Sequence, residues 1–404
     1  MSADREHFSS KLGFILAAAG SAVGIGNLVG FPVAAAKNGG GAFLFIYAIF
    51  VILICLPVMM AEMAVGRHTN KDPLGAYAKL SDNDGRWKLA GWLGVITPFM
   101  IAVFYLVITV WILGYLWGAA TGNLETLANP NTFGEFITSN KLFAFMIGVV
   151  VITGGILMSG VKEGIEKAAK VLMPSLFILL VLLVIYVLTL DNANAGVAFY
   201  LLPDFSKITG SVISGALSQA FFSLSLGMGI LITYGSYMRK QQDIVDSTKL
   251  VALTDTGVAF VAGLMIMPAI FSFDPGVNPA ELSDSSVSLI FVLLPKIFLS
   301  LQTDIGYFGA SAIASVFFLL VFFAAITSLV SIVEVPNAAI MGEKKISRKK
   351  SLTILVSLIV LFSIAASTSF GMSEFFTKFV SYAGIERSLF DVIVDVFYDT
   401  ILPL

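Results

Sequence analysis

The residues that could do chemistry lie in the middle of two long apolar runs, where glycines and polar side chains interrupt a helical pattern. The first run contains AGSAVGIGNLVGFP at 19–32, and the second contains SQAFFSLSLGMGILITYGSY at 218–237. Each glycine costs about 1 kcal/mol of helix stability relative to alanine. A helix interrupted inside lipid frees peptide groups that need new partners. The freed carbonyls suit a small hard cation, and the amides of a half-helix suit a carboxylate.

Close helix packing is the alternative explanation, because pairs of small residues one turn apart let two helices approach each other. Gly20-x-x-x-Gly24 and Gly26-x-x-x-Gly30 both fit that pattern. However, both interruptions also carry polar residues, and they occupy matching places in two halves of the chain. Matched interruptions predict a binding site near the bilayer midplane. A dinucleotide loop is excluded, since the spacing is GxGxxxG and no strand precedes it.

The composition requires a membrane protein. The 404 residues are 57% hydrophobic and 12% charged, with a mean hydropathy of +0.93, whereas a soluble domain has about 25% charged residues. The net charge of −2 argues against nucleic-acid binding. The single cysteine, Cys55, excludes an internal disulfide, and two histidines leave little for enzymatic chemistry.

Ten apolar runs are candidates for membrane spans, each of which needs about 20 apolar residues. They lie near 12–36, 42–66, 90–118, 141–159, 165–190, 212–237, 248–272, 305–340, 351–369 and 388–404. The tenth run is too short to cross, which predicts a fragment or a truncated product. Residues 286–300 are apolar but short and contain Pro295, so we expect a re-entrant or capping helix there. The polar N-terminus has no signal-peptide pattern.

The basic residues set the orientation. With the N-terminus inside, 18 of the 24 Lys and Arg residues fall on the inner side, which predicts a cytoplasmic N-terminus in the plasma membrane. Because each half has five spans, an odd number, the second half enters the membrane from the opposite side and is inverted relative to the first. We therefore expect one transporter domain over 1–404, with one repeat at about 10–190 and an incomplete second repeat at about 210–404.

Several polar residues lie within other spans. The adjacent hydroxyls of Thr327 and Ser328 are good ligands for a hard cation, although both could bond back to the preceding helical turn. Tyr105 either meets a buried partner or anchors the span at the interface.

Acidic residues inside spans are functional candidates by default. Asp255 lies in VALTDTGVAF, Glu62 could brace the first interruption by accepting amide hydrogens, and Glu334 lies near a helix end from which it could snorkel.

These motifs resemble the neurotransmitter:sodium symporter family, in its bacterial amino-acid branch, from residue 5 to about 370. The matching segments, in order, are REH, LGFILAAAGSAVGIGN, FP, NGGGAF, GIEKAAKVLMPSLFIL, FFSLSLGMG, RKQQDIV and FFAAITS. The resemblance implies an all-α membrane fold of five plus five inverted spans, with discontinuous first and sixth helices. It also implies a central amino-acid site beside two sodium sites and no organic cofactor.

The resemblance implies the following site residues. One sodium ion would be held, together with the substrate carboxylate, by Ala22, Asn27, Ser223 and Asp255. The other would lie among Gly20, Val23, Ala324, Thr327 and Ser328. The substrate would contact Ala22, Gly24, Gly26, Ile101, Tyr105, Phe222, Ser223, Ser225, Met228, Ser328 and Ile332.

The residue types at these positions indicate the substrate. Family members that carry amines have Asp where this chain has Gly24, so here the substrate must bring its own carboxylate. Its side chain would meet an apolar subsite, which predicts neutral hydrophobic amino acids, aromatic ones included. Asp255 supplies the charge that chloride provides in some relatives, which predicts chloride-independent transport. A proton-coupled transporter with Glu62 or Asp255 as relay, and a membrane receptor that does not transport, are the alternatives.

Two gate features accompany the resemblance. The family usually has Arg directly before FP, where this chain has Gly30, so the cation of the usual outer gate is missing. Asp391 and Asp395 are the candidates for its acid, and the outer gate is expected either to be looser or to be closed by Tyr105 and Phe222 alone. Arg5, with Ser236 and Tyr237 and with Glu343 as a further candidate, is expected to close the inner path.

Overall fold

The computed structural model describes residues 6–276, 287, 289–382 and 384–402. Arg5 and the start of the 286–300 segment lie outside the described residues. Spans are numbered below in chain order. The side of the protein that carries residues 6–10 is called the tail side.

The first span is broken, as the sequence predicts. Its first half, Lys11–Ala22, begins at Ser10, whose hydroxyl accepts a hydrogen bond from the Gly13 amide at 3.0 Å. Its second half, Gly26–Lys37, starts with a π-helical turn and is bent by 55° from the first half. Residues 23 and 24 interrupt the helix between the halves. The Val23 amide still donates to the Ala19 carbonyl at 2.7 Å, and the Gly24 carbonyl accepts from the Leu28 amide at 3.3 Å.

The sixth span is broken in the same way. Gly210–Ser223 and Ile230–Gly235 are helical, and the residues between them turn through positive φ at Ser225 (55°), Gly227 (77°) and Gly229 (67°). Residues with a Cβ atom rarely adopt positive φ, whereas glycine does so readily, so the two glycines favour the interruption. Thr209 caps the start of the span, because its hydroxyl accepts a hydrogen bond from the Val212 amide at 3.3 Å.

The remaining long spans match the apolar runs. Among the described residues, seven helices are long and apolar enough to cross a membrane, and the broken first span makes eight. The second to fifth and seventh to ninth spans are Gly41–Thr69, Gly85–Ala120, Lys141–Met158, Val161–Val187, Ile244–Phe273, Gln302–Lys344 and Arg348–Thr368. The third and eighth spans are the most buried and form the centre of the bundle, with the first span packed beside them.

Shorter elements connect the spans. The tenth run forms a short helix, Leu389–Ile393, that continues into a π-helix, Val394–Ile401. Short helices in the connecting segments occupy Pro73–Leu80, Leu124–Ala128, Thr132–Ile137, Ala193–Leu201, Phe205–Lys207 and Glu374–Thr377. Two more, Leu289–Leu293 and Leu294–Ser300, follow one another directly and together form Leu289–Ser300. An antiparallel hairpin, Val380–Tyr382 with Ile385–Arg387, precedes the tenth run. The sequence reasoning did not predict this hairpin.

The second span and the tail-side half of the sixth span touch backbone to backbone. A Cβ atom on Gly235 would lie 2.6 Å from the Met63 carbonyl oxygen, and one on Gly66 would lie 2.9 Å from the Ser236 amide nitrogen. Both distances are below those of real contacts, so no side chain fits at either glycine.

The N-terminal tail is bound to the bundle. Phe8 is fully buried, with its ring 5.4 Å from Phe14 and 5.6 Å from Tyr234. The Ser9 amide and the Lys170 ammonium each donate to Glu166, both at 2.6 Å. These contacts hold the tail across the ends of the first, fifth and sixth spans.

Candidate functional site

A polar cluster joins the two broken spans at their interruptions. The Asn27 amide nitrogen donates to Ser223 Oγ at 2.9 Å and to Asp255 Oδ1 at 2.6 Å. Ser223 Oγ in turn donates to Asp255 Oδ2 at 2.7 Å. All three residues are at most 1% exposed. Asp255 therefore links the first and sixth spans from the seventh span. Asn27 turns its amide nitrogen to the other two residues and its Oδ1 to the Gly24 amide. The oxygens that meet in the cluster, and that suit a small hard cation, are those of the Asp255 carboxylate and the Ser223 hydroxyl.

The peptide groups of the first interruption face the third and eighth spans. The Gly24 amide donates to Asn27 Oδ1 at 3.1 Å, and the Ile25 amide lies 3.4 Å from the Tyr105 hydroxyl. A Cβ atom on Gly24 would lie 2.8 Å from Ser328 Oγ and 3.0 Å from the Tyr105 oxygen. A side chain at position 24 would therefore require the Ser328 or Tyr105 side chain to move. Tyr105 meets a buried partner instead of serving as an interface anchor.

Thr327 and Ser328 do different things. The Ser328 hydroxyl donates to the Ser21 carbonyl at 3.1 Å and lies 3.3 Å from the Val23 carbonyl. The Thr327 hydroxyl bonds back to the preceding turn of its own helix, at 3.0 Å to the Phe323 and Ala324 carbonyls. Back-bonding, which the sequence reasoning weighed for the pair, thus describes Thr327 but not Ser328.

A second group of predicted sodium ligands surrounds these hydroxyls. A Cβ atom on Gly20 would touch Thr327 Cβ at 3.4 Å, so the first and eighth spans are in contact there. Val23 and Ala324, predicted for the same ion, are both 0% exposed, and Ala22, predicted for the first ion, is 6% exposed.

The other predicted substrate contacts are mostly buried and mostly apolar. Phe222 lies against the first interruption, where a Cβ on Gly26 would be 2.5 Å from its ring. The predicted positions Ile101, Met228 and Ile332 are at most 3% exposed. Ser225 is 5% exposed, and its hydroxyl lies 3.5 Å from the Ser21 carbonyl.

The interpretation of Glu62 needs correction. Its Oε1 accepts from the Gly227 amide at 2.9 Å, so Glu62 braces the sixth span and not the first. Sequence order alone could not show which interruption faces the second span.

The snorkelling interpretation of Glu334 is wrong. Glu334 is fully buried and forms a bidentate pair with Arg348, at 2.6 Å and 3.0 Å. The Tyr237 hydroxyl and the Asn337 amide also donate to its carboxylate, at 2.7 Å and 3.0 Å. The Tyr237 hydroxyl therefore pairs with Glu334, while its expected contact with Arg5 lies outside the described residues. The Ser236 hydroxyl donates to the Thr233 carbonyl at 2.5 Å.

Sequence reasoning missed Tyr398, which packs against Phe222. Its ring meets Phe222 edge to face at 4.8 Å and Phe104 at 5.9 Å. An apolar stripe at four-residue steps, Phe390, Val394 and Tyr398, was the available signal for this packing. Treating the tenth run only as an incomplete span obscured that signal.

Comparison with known proteins agrees with this architecture. The Sodium:neurotransmitter symporter family matches residues 5–135 and 135–401. The uncharacterized sodium-dependent transporter YhdH of Bacillus subtilis is 39% identical over 370 residues, which cover 90% of this chain and 79% of that protein. An uncharacterized sodium-dependent transporter of Methanocaldococcus jannaschii is 37% identical over 383 residues, 91% of this chain and 76% of that protein.

A more distant relative and a solved structure extend the comparison. The sodium- and chloride-dependent GABA transporter 2 of Rattus norvegicus is 26% identical over 401 residues, 88% of this chain and 65% of that protein. The crystal structure of MhsT in complex with L-phenylalanine has a TM-score of 0.81 and 39% identity, and the match covers 99% of this chain and 88% of that one.

The fold and the matches define a multi-pass membrane protein of the transporter class with five plus five inverted spans, not an enzyme. The chain belongs to the sodium:neurotransmitter symporter family and is a sodium-dependent symporter. The predicted fold class, with discontinuous first and sixth helices, is confirmed.

Proposed function

We propose that this chain couples the inward movement of sodium to the uptake of neutral hydrophobic amino acids, aromatic ones included, across the plasma membrane. The observation that carries this proposal is the buried Asn27–Ser223–Asp255 cluster, which joins both interrupted spans around one carboxylate. In the proposed orientation the tail side is cytoplasmic, and the whole chain acts as a single transporter domain of two repeats.

Two sodium sites are proposed. The first comprises oxygens of Ala22, Asn27, Ser223 and Asp255. The second comprises carbonyl and hydroxyl oxygens of Gly20, Val23, Ala324, Thr327 and Ser328. Both sets offer the hard oxygen ligands that an alkali-metal ion prefers, and in this proposal the ions are cargo that drives transport through their different affinities for the two states.

The substrate is proposed to bind beside the first sodium ion. Its carboxylate would meet the amides at Gly24 and Gly26 and the Tyr105 hydroxyl, near which the Ile25 amide already lies at 3.4 Å. Its side chain would meet Ile101, Phe222, Met228 and Ile332, with Ser225 and Ser328 nearby. MhsT, at 39% identity, has been crystallised with L-phenylalanine, which supports an amino acid of this type.

Chloride independence is part of the proposal. Asp255 places a fixed carboxylate in the cluster that joins the two interruptions, fully buried and held by Asn27 and Ser223. A second buried anion beside that carboxylate would be repelled. Replacing external chloride with gluconate should therefore leave uptake unchanged.

The test is uptake by proteoliposomes under an inward sodium gradient. Radiolabelled phenylalanine should accumulate, and unlabelled Leu, Ile, Phe or Trp should compete while Glu and Lys should not. Competition by Glu alone would contradict the apolar subsite. Accumulation driven by a proton gradient without sodium would favour the proton-coupled alternative. Sodium-dependent binding without counterflow would indicate a receptor.

A further inference from the structure

A polar cluster lies where the hairpin meets the tenth run, on the side opposite the tail. The Arg387 Nε atom is 3.6 Å from Asp395 Oδ2, and the Tyr382 hydroxyl donates to the same carboxylate. The Arg387 guanidinium also lies over the Tyr382 ring, 5.6 Å from its centre. The Arg387 and Asp395 side chains are about one-third exposed, at 33% and 31%. We call these three residues the hairpin latch.

The latch and Tyr398 belong to the same short helical segment. Tyr398 follows Asp395 by three residues within the π-helix Val394–Ile401, so a displacement of this segment moves both side chains. The Tyr398 ring contacts Phe222 at 4.8 Å, and Phe222 closes over Gly26 in the first interruption. Displacing the segment around Asp395 would therefore release Phe222 from above the first interruption.

The start of the tenth run is held independently of the latch. Phe390 stacks on Trp111 at 5.9 Å and packs against Phe370 at 5.0 Å. Ser388 and Asp391 form a capping box, in which the Asp391 amide donates to Ser388 Oγ at 3.1 Å. This end is thus anchored by apolar packing and a helix cap, whereas the hairpin latch is a polar contact that can open without exposing a core.

We propose that the hairpin latch controls access to the site from the side opposite the tail, with Arg387 as a positioning residue that holds Tyr398 down on Phe222. The cation of this gate comes from the hairpin, whereas position 30 of the first span is glycine and cannot supply one. Opening the latch frees the tenth run to lift and Phe222 to turn away from Gly26. The role of this gate in transport rests on the proposed function, whereas its control of access to the site does not.

The first experiment measures opening without any substrate. Because the only cysteine, Cys55, is fully buried, a Cys55→Ala background allows a single reporter, Phe104→Cys, beneath Tyr398. Removing the charge with Arg387→Gln should speed maleimide labelling about fivefold, the equivalent of about 1 kcal/mol for a partly exposed pair. Exchanging the charges in Arg387→Asp/Asp395→Arg should restore slow labelling. Equal labelling rates in the parent and in Arg387→Gln would overturn the latch.

A matched control lies on the same hairpin. Lys378 forms a pair with Glu386 at 3.8 Å, and both side chains are more than half exposed. Lys378→Gln removes one positive charge from the hairpin without touching the latch, so its labelling rate should equal that of the parent. An increase as large as that of Arg387→Gln would show a general charge effect and overturn the assignment.

The second experiment uses the native Phe104 and a bound probe. Radiolabelled L-phenylalanine, bound in sodium, should dissociate about fivefold faster from Arg387→Gln than from the parent or from Lys378→Gln. If the parent binds no amino acid while the labelling difference persists, the proposed substrate is wrong and the latch stands. Hydrogen exchange of residues 389–402, which needs neither reporter nor ligand, should accelerate in Arg387→Gln alone, and unchanged exchange would overturn the latch.

Discussion

Neutralising Glu334 should destabilise the protein more than any exposed charge change. In Glu334→Gln, the Arg348 guanidinium keeps its charge, is only 12% exposed and loses a bidentate carboxylate. Removing one partner of a buried ion pair costs about 3–5 kcal/mol, because the other charge stays desolvated. Unfolding entropy is about 2.1 cal/mol/K per residue, so 404 residues give roughly 0.85 kcal/mol/K. A cost of about 4 kcal/mol then lowers Tm by about 5 °C.

The assay is thermal unfolding of the purified protein in detergent, followed by the size-exclusion peak of the folded form after heating. Adding Arg348→Met to Glu334→Gln removes the unpaired charge, so the double variant should regain most of the lost stability. The control is Lys162→Gln, which breaks a pair with Glu163 whose side chains are 63% and 66% exposed. Its Tm should change by less than about 1 °C, since exposed pairs contribute about 0–1 kcal/mol.

Two results would refute this reasoning. A Glu334→Gln protein that melts within about 1 °C of the parent would show that Arg348 reaches solvent or another acceptor without cost. A double variant no more stable than the single one would show that the loss comes from the Tyr237 and Asn337 hydrogen bonds and not from the charge.

Three further predictions concern the site and the tail. Gly26→Ala places a methyl group 2.5 Å from the Phe222 ring, so sodium-dependent amino-acid binding should weaken at least tenfold in equilibrium dialysis, while Gly257→Ala, in open space, should bind normally. Asp255→Asn removes the buried carboxylate beside Asn27 and Ser223, so the sodium concentration for half-maximal binding should rise about tenfold or more; an unchanged value would exclude Asp255 as a ligand. Glu166→Gln removes the charge that accepts from Ser9 and Lys170, so amides of residues 6–10 should exchange with deuterium faster, and equal protection would contradict the role given to that carboxylate.

The broken spans were predictable because their cause is local. Gly24, Gly26, Gly227 and Gly229 interrupt apolar runs, and these side-chain types alone show that a continuous helix is disfavoured there. The burial of Asp255 was also predictable, since an acid inside a span needs a protein partner.

Features that depend on distant contacts could not be predicted. From the sequence, Glu62 could reach the depth in the membrane of either interruption. Only the packing of the second span against the sixth span gives it the Gly227 amide as a partner. Glu334 pairs with Arg348, which lies beyond a turn whose geometry cannot be read from the sequence. Without that partner, a position near a helix end suggested that Glu334 reaches water. The hairpin is two strands of three residues each, too short for a periodic pattern.

The direct meeting of backbones at Gly66 and Gly235 limits how the protein can change shape. Two main chains touch here without side chains between them, so sliding one past the other would bring backbone atoms into collision. The second span and this half of the sixth span must therefore move together as one rigid unit. The flexible joint of the sixth span then has to be the positive-φ segment around Ser225 and Gly229. A larger residue at position 66 should therefore force the second span and this half of the sixth span apart.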